Sequence, residues 1–96
     1  MAIFVDELRD CSHIKNYATK RYGSRWCHMW CDGDIEELHL FALKIGLKRQ
    51  YFQKSKVFDH YDLIPSKRML AIRCGAEQMS LKTWLREKIG GGIKGG

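Results

Sequence analysis

The sequence predicts a small α/β (α+β) domain in which three to four short strands pack against about three helices. Two observations lead to this fold class. Short, apolar, β-rich segments alternate with segments of helical periodicity, and residues that cap helices stand at the borders of the helical segments. Because 96 residues provide only one core, we expect a single domain over residues 1–89 and a disordered glycine-rich tail over residues 90–96.

Two strands are predicted in the first third of the chain. Residues 2–5 are short, apolar and β-rich, and they end at Asp6. Residues 25–30 form a second strand, one face of which holds Trp26, His28 and Trp30. The residues between them, 7–24, show no sustained period, and we interpret them as a variable insert.

The clearest helix is predicted over residues 34–45. Asp34 can cap its first turn, with Glu37 three residues later, and Gly46 is placed to end it. Apolar residues recur along one face at helical spacing. The side chains expected to pack this helix against the sheet are Leu38, Phe41 and Ala42.

The second half of the chain begins with a basic and aromatic connector at residues 48–56. Residues 60–64 are either a short strand or an extended turn. Ser66 is expected to cap a second helix that runs to Cys74, residues 76–79 form a brief strand, and Ser80 caps a last helix over residues 81–89.

Positive charge is concentrated in this second half. The net charge is +6, yet the chain up to Leu43 has five basic and seven acidic residues, against twelve and four from Lys44 onward. This asymmetry favours an anionic partner, either nucleic acid or the acidic face of a protein. The alternative is a solvated basic face without a partner. The contacts that we expect are Lys48, Arg49, Lys54, Lys56, Lys67 and Arg68.

No membrane association is expected. No apolar run reaches the roughly 18–20 residues that a bilayer span needs. The first residues are apolar over too short a stretch, and become acidic too soon, for a signal peptide. These features predict a protein of the cytoplasm.

The four cysteines are Cys11, Cys27, Cys31 and Cys74, and we expect reduced thiols, because cytoplasmic disulfides are rare. A structural zinc on Cys27 and Cys31, with Cys11 and His13, is the alternative. A strand would separate the first pair by about 13 Å, whereas two sulfurs on one zinc lie about 4 Å apart. A turn would permit the site. We expect no metal and no cofactor.

Five polar residues lie on or beside predicted elements and are the catalytic candidates: Asp6, His28, His39, His60 and Asp62. If they converge, carboxylate and imidazole groups could bind a divalent metal or act as acid and base. The alternative is that each is separately bonded within the fold. We predict that His60 and Asp62 lie within reach of His28 or His39.

These residues also resemble a family of small phage, prophage and bacterial proteins that is classed as a domain of unknown function and has a central His-Tyr-Asp motif. The similar segments cover most of the chain outside residues 7–24 and the tail. They are Phe4-Val5-Asp6, Trp26-Cys27-His28-Met29, Glu36-Glu37-Leu38-His39, Ile45-Gly46-Leu47, Phe52-Gln53, His60-Tyr61-Asp62, Lys67-Arg68 and Gly75-Ala76. The resemblance implies a phage context but no particular reaction.

Two functions are compatible with these observations. The first is a non-catalytic, phage-encoded accessory protein that binds a host protein or nucleic acid, for instance to modulate a host nuclease or recombination enzyme. The second is a small His/Asp-based hydrolase or nuclease-like enzyme, with or without a metal. The sequence leaves the oligomeric state open.

Overall fold

The computed structural model describes residues 2–10, 23–55 and 58–87, and over these ranges the chain has an α+β fold of six short strands and three α-helices. The strands are β1 (Ile3–Val5), β2 (Arg9–Asp10), β3 (Arg25–Cys31), β4 (Phe52–Gln53), β5 (His60–Leu63) and β6 (Glu77–Gln78). The helices are α1 (Ile35–Lys44), α2 (Pro65–Arg73) and α3 (Leu81–Leu85), and a 3₁₀ turn, Arg49–Tyr51, precedes β4. The predicted fold class is confirmed.

All six strands belong to one mixed sheet, in the order β4-β5-β3-β1-β6, with β2 also paired to β3. β3 is the centre, because it pairs antiparallel with both β1 and β5. β1 and β6 are parallel, and β6 reaches this edge of the sheet through helix α2, which follows β5. Two of the strands were not predicted: β2 lies in the segment interpreted as an insert, and β4 lies in the connector.

Helix α1 begins and ends where the sequence predicts. The carboxylate of Asp34 accepts a hydrogen bond from the Glu36 amide at 3.0 Å, which caps the first turn. Gly46 follows the helix with φ of +87°, a backbone conformation that favours glycine. A side chain at Gly46 would also meet the Lys67 ammonium, which donates to the Ile45 carbonyl at 2.8 Å. Both the backbone conformation of Gly46 and the hydrogen bond from Lys67 therefore fix the end of the helix.

Helix α2 begins differently from the prediction. Pro65 is its first residue and Ile64 precedes it as the N-cap, so the expected cap at Ser66 was wrong. Proline suits this position because its fixed φ is already helical and the first helical amides have no partner within the helix. In α3, by contrast, the Ser80 hydroxyl accepts from the Thr83 amide at 3.3 Å, as predicted.

Several predictions lie outside the described residues. They are the glycine-rich tail, the end of the last helix beyond residue 87, and most of the predicted insert, residues 11–22. Over the ranges that are described, no helix combines the length and the apolar character needed to cross a membrane.

The two faces of the sheet are packed unequally. The main core lies between one face and helices α1 and α2, and it contains Val5, Met29, Leu38, Ala42, Ile45, Tyr61, Leu63 and Ala71. The opposite face has a smaller cluster around Trp30, which includes Phe4 and Leu81 with partly buried Phe58, Trp84 and Leu85. Because side chains alternate along β3 and β5, the polar neighbours of Met29 and Tyr61 point to this second face.

Candidate functional site

The register of β3 and β5 brings together the polar residues of the second face. His28 lies directly opposite Asp62, and His60 is two residues before Asp62 on the same face of β5. The His28 and His60 rings are perpendicular, with centroids 5.0 Å apart. The predicted proximity of His60 and Asp62 to His28 is therefore found.

His28 is held by the carboxylate of Asp6, a side chain that is only 2% exposed. Asp6 follows the last residue of β1 and accepts two hydrogen bonds from His28: the backbone amide donates to Oδ1 at 2.6 Å, and the ring Nδ1–H donates to Oδ2 at 2.8 Å. The carboxylate replaces a backbone acceptor where β1 ends. In the neutral ring, donation from Nδ1 to Asp6 leaves the lone pair of His28 on Nε2.

His60 has an acceptor at each ring nitrogen. Its Nδ1 lies 3.3 Å from the carbonyl oxygen of Phe58, so the tautomer with its hydrogen on Nδ1 donates to that carbonyl. The Phe58 ring stacks on the imidazole with centroids 4.5 Å apart. Nε2 is then directed towards Asp62, 3.5 Å from its Oδ1.

The carboxylate of Asp62 completes the group. Its Oδ2 accepts from the Gln53 amide nitrogen at 2.5 Å, which connects the site to the edge strand β4 and leaves Oδ1 beside His60. His28, His60 and Asp62 each offer a ligand atom within 4.8 Å of those of the other two. We call these three residues the His-His-Asp cluster.

The His-His-Asp cluster is partly open to solvent. The side chain of His28 is 24% exposed, that of His60 12% and that of Asp62 34%. A small molecule or ion can therefore reach polar atoms that are already fixed by the sheet. Two imidazoles and a carboxylate can bind a divalent metal or transfer protons.

Two arginines surround the buried end of this arrangement. The Arg9 guanidinium lies 3.6 Å from Oδ2 of Asp6. Arg68 of α2 donates through Nε to the backbone oxygen of Asp6 at 2.8 Å and through its terminal nitrogen to Gln78 of β6 at 3.1 Å. Arg68 thus ties the position of Asp6 to a helix and to the far edge of the sheet.

The remaining candidate, His39, lies on the other side of the sheet. It is 8% exposed, and its Nδ1 is hydrogen-bonded to the Tyr61 hydroxyl at 2.7 Å in the main core. Burial, with the nearby Arg49, lowers the pKa of His39, and burial raises the pKa of Tyr61, so a neutral pair is favoured. His39 is therefore bonded within the main core and is separate from the His-His-Asp cluster.

The segment that contains Cys27 and Cys31 is a strand and not the turn that a zinc site would need. Cys27 and Cys31 both lie on β3, where residues four apart are about 13 Å apart, so they cannot share one tetrahedral zinc. Burial and the charge of Asp6 raise the pKa of Cys27 to about 12, which keeps its thiol protonated. Cys11 and His13 lie outside the described residues.

The predicted partner contacts divide into two groups. Lys67 and Arg68 are partly buried and bonded within the domain. Lys48, Arg49 and Lys54 are exposed, and Arg49 is 3.9 Å from Glu36. Lys56 lies outside the described residues.

Two residues that contact the His-His-Asp cluster were not predicted from the sequence as part of a site. Gln53 and Phe58 contact the cluster only because β4 and the residues before β5 return beside it. Gln53 appeared only as part of a segment that resembles the family, and Phe58 gave no signal. Their positions depend on strand pairing rather than on local sequence.

The fold and the site define a small α+β domain with an open imidazole–carboxylate cluster on its sheet. The family model described as a protein of unknown function (DUF4031) matches residues 13–89, and the chain belongs to this family. The match includes His28, His60 and Asp62 and begins after Asp6. No curated protein and no solved structure matches the chain.

Proposed function

We propose that this protein is a small hydrolase that cleaves phosphate esters, those of nucleic acids among them, at the His-His-Asp cluster. The observation that carries the proposal is the fixed orientation of His28, whose Nδ1 is bonded to a nearly fully buried carboxylate while its other nitrogen is free to act beside His60 and Asp62. A positioned imidazole of this kind is the usual general base of hydrolytic sites.

Packing gives no reason for this arrangement. Burying the Asp6 carboxylate is unfavourable unless it is fully bonded, and apolar residues at such positions are often neutral or stabilising. Three further polar groups meet on the same face at the border of the smaller cluster, where the Phe58 ring stacks on His60 and contacts His28 edge-on. Sites that depart from optimal packing in this way are typical of function.

The charge of the chain favours phosphate substrates. The segment from Lys44 onward has twelve basic and four acidic residues, and such a field attracts anionic substrates. In hydrolysis, the cluster takes a proton from the attacking water as its oxygen bonds to phosphorus. The P–O bond to the leaving group breaks, and a proton is returned to the leaving oxygen.

The test is hydrolysis of bis(p-nitrophenyl) phosphate and of labelled single-stranded DNA, double-stranded DNA and RNA by the purified protein. We expect His60→Ala and Asp62→Asn each to reduce the rate by about 100-fold or more, since proton transfer contributes about 10²–10⁴. Lys82→Ala, an exposed change on α3, is the matched control and should keep the wild-type rate. Cleavage of none of these substrates, or equal cleavage by all variants, would contradict the proposal.

A second candidate function is that of a phage-encoded accessory protein of the host cytoplasm, which binds nucleic acid or an acidic host protein. The exposed positions of Lys48, Arg49 and Lys54 around the connector favour it. If they contact phosphates, the logarithm of the binding constant should fall with the logarithm of salt concentration by about 0.7–0.9 per contact. Replacing all three with glutamine should flatten that slope. Salt-independent binding would point to a different partner.

A further inference from the structure

We infer that the His-His-Asp cluster is the binding site of one divalent transition-metal ion, with Zn²⁺ the first to be tested, bound by Nε2 of His28, Nε2 of His60 and the carboxylate of Asp62. The inference rests on the proposed function in one respect: both use the same cluster. With an ion bound, the Nε2 lone pair of His28 would serve as a ligand, and the ion rather than the imidazole would activate the attacking water.

The spacing of the ligand atoms suits such an ion. Metal bonds to histidine nitrogen and carboxylate oxygen are about 2.0–2.2 Å long, which places tetrahedral ligand atoms about 3.3 Å apart. Nε2 of His60 and Oδ1 of Asp62 are already 3.5 Å apart. All three ligand atoms lie within 4.8 Å of one another, so small side-chain rotations that shorten the widest separation by about 1.5 Å at most close the site.

The orientation of each ligand is fixed by a second partner. Metal-binding histidines usually donate their other ring N–H to a carboxylate or a backbone carbonyl, which sets the tautomer. The Nδ1 atoms of His28 and His60 lie 2.8 Å and 3.3 Å from Asp6 Oδ2 and the Phe58 carbonyl, respectively. The second oxygen of Asp62 is held by Gln53. All three side chains therefore have one atom anchored and another available.

Charge and coordination number agree with this assignment. Both nearby arginines contact Asp6: Arg9 lies 3.6 Å from its carboxylate and Arg68 donates to its backbone oxygen at 2.8 Å. The carboxylate of Asp62, 3.5 Å from Nε2 of His60, supplies the negative charge at the ligand atoms. Imidazole with carboxylate suits zinc and its first-row neighbours. Three protein ligands on a partly exposed face leave a coordination position for water, which distinguishes catalytic from structural zinc sites.

The experiment is equilibrium dialysis of chelator-treated full-length protein against Zn²⁺, with elemental analysis, and titration with Co²⁺ followed by its absorption spectrum. We expect one ion per chain. Asp62→Asn and His60→Ala should each lower the affinity by about 100-fold or more, exceeding the about 10–100-fold typical of an outer partner. Free Zn²⁺ at 100 times the dissociation constant should lower the unfolding equilibrium constant of wild type by about 100-fold.

The matched controls are Cys31→Ser and His13→Ala, which remove ligands of the alternative cysteine site and should leave binding unchanged. Circular dichroism confirms that each variant is folded, and the partly exposed Asp62→Asn serves if His60→Ala does not fold. The inference is overturned by less than stoichiometric binding, or by binding that survives Asp62→Asn and His60→Ala and disappears in Cys31→Ser. Metal binding without phosphate-ester cleavage would end the proposed function alone, whereas cleavage by a protein that binds less than stoichiometric Zn²⁺ would end this inference alone.

Discussion

Replacing Asp6 with alanine should lower the free energy of unfolding by about 3 kcal/mol. The carboxylate is 2% exposed and accepts from both the amide and the ring Nδ1–H of His28, at 2.6 Å and 2.8 Å. Hydrogen bonds to a charged group contribute about 1.5–3 kcal/mol each. We take the lower value for both bonds, because the His28 side chain is 24% exposed and water can partly replace Asp6.

Asp6→Asn separates the two bonds. The amide oxygen of asparagine can still accept from the backbone of His28, but its NH₂ group cannot accept from Nδ1–H. We expect about half the loss in stability and a change of His28 to the tautomer with its hydrogen on Nε2. That nitrogen then has no lone pair for a metal, so Zn²⁺ affinity should fall by about 10–100-fold.

Urea-induced unfolding followed by tryptophan fluorescence measures the stability, with the m-value as a check that the unfolded state is unchanged. Nitrogen chemical shifts of the imidazole report the tautomer. Our reasoning would be refuted by a loss below about 1 kcal/mol in Asp6→Ala, or by a wild-type His28 that already has its hydrogen on Nε2.

Three further outcomes are expected. Leu38→Ala, at a fully buried position, should lower the free energy of unfolding in urea by about 3 kcal/mol. Leu40→Ala, at a position 66% exposed on the same helix, should change it by no more than about 0.5 kcal/mol. Equal losses of stability in the two variants would contradict the packing of α1. Because burial lowers the pKa of His39, this imidazole is protonated at a higher pH in the unfolded chain than in the folded chain. The free energy of unfolding should therefore decrease as the pH falls below 6.5, and it should depend less on pH in His39→Gln. The Cys27 thiol, with its pKa raised to about 12, should react with iodoacetamide only after unfolding; rapid labelling of the native protein would show that the strand is less protected than described.

Elements with local signals were predictable. Helix α1 has its own cap at Asp34, its own glycine at position 46 and an apolar stripe, all within the segment itself. The start of α2 was misplaced because both Pro65 and Ser66 are compatible with a helix beginning, and the choice depended on the backbone leaving β5. A sequence segment can therefore predict that a helix forms more accurately than it predicts the residue at which the helix begins.

The short strands β2 and β4, in contrast, have no local sequence signal from which they could be predicted. Each has two residues and forms only because a partner strand lies beside it, with Arg9 opposite Trp26 and Phe52 opposite Tyr61. A two-residue segment has no period from which to predict it. Its stability comes from cross-strand contacts between residues far apart in sequence.

The sequence alone determined which imidazole and carboxylate groups the chain has and the order in which they follow one another. For residues 60–64 it left a short strand and an extended turn as alternatives, and in a strand the alternation of side chains puts His60 and Asp62 on one face and Tyr61 on the other. Only the tertiary structure decided which histidine joins them. The pairing of β3 with β5 puts His28 opposite Asp62, whereas His39 bonds to Tyr61 in the main core. The register is set by core packing on both sides of the sheet, and a shift of one residue would reverse every assignment.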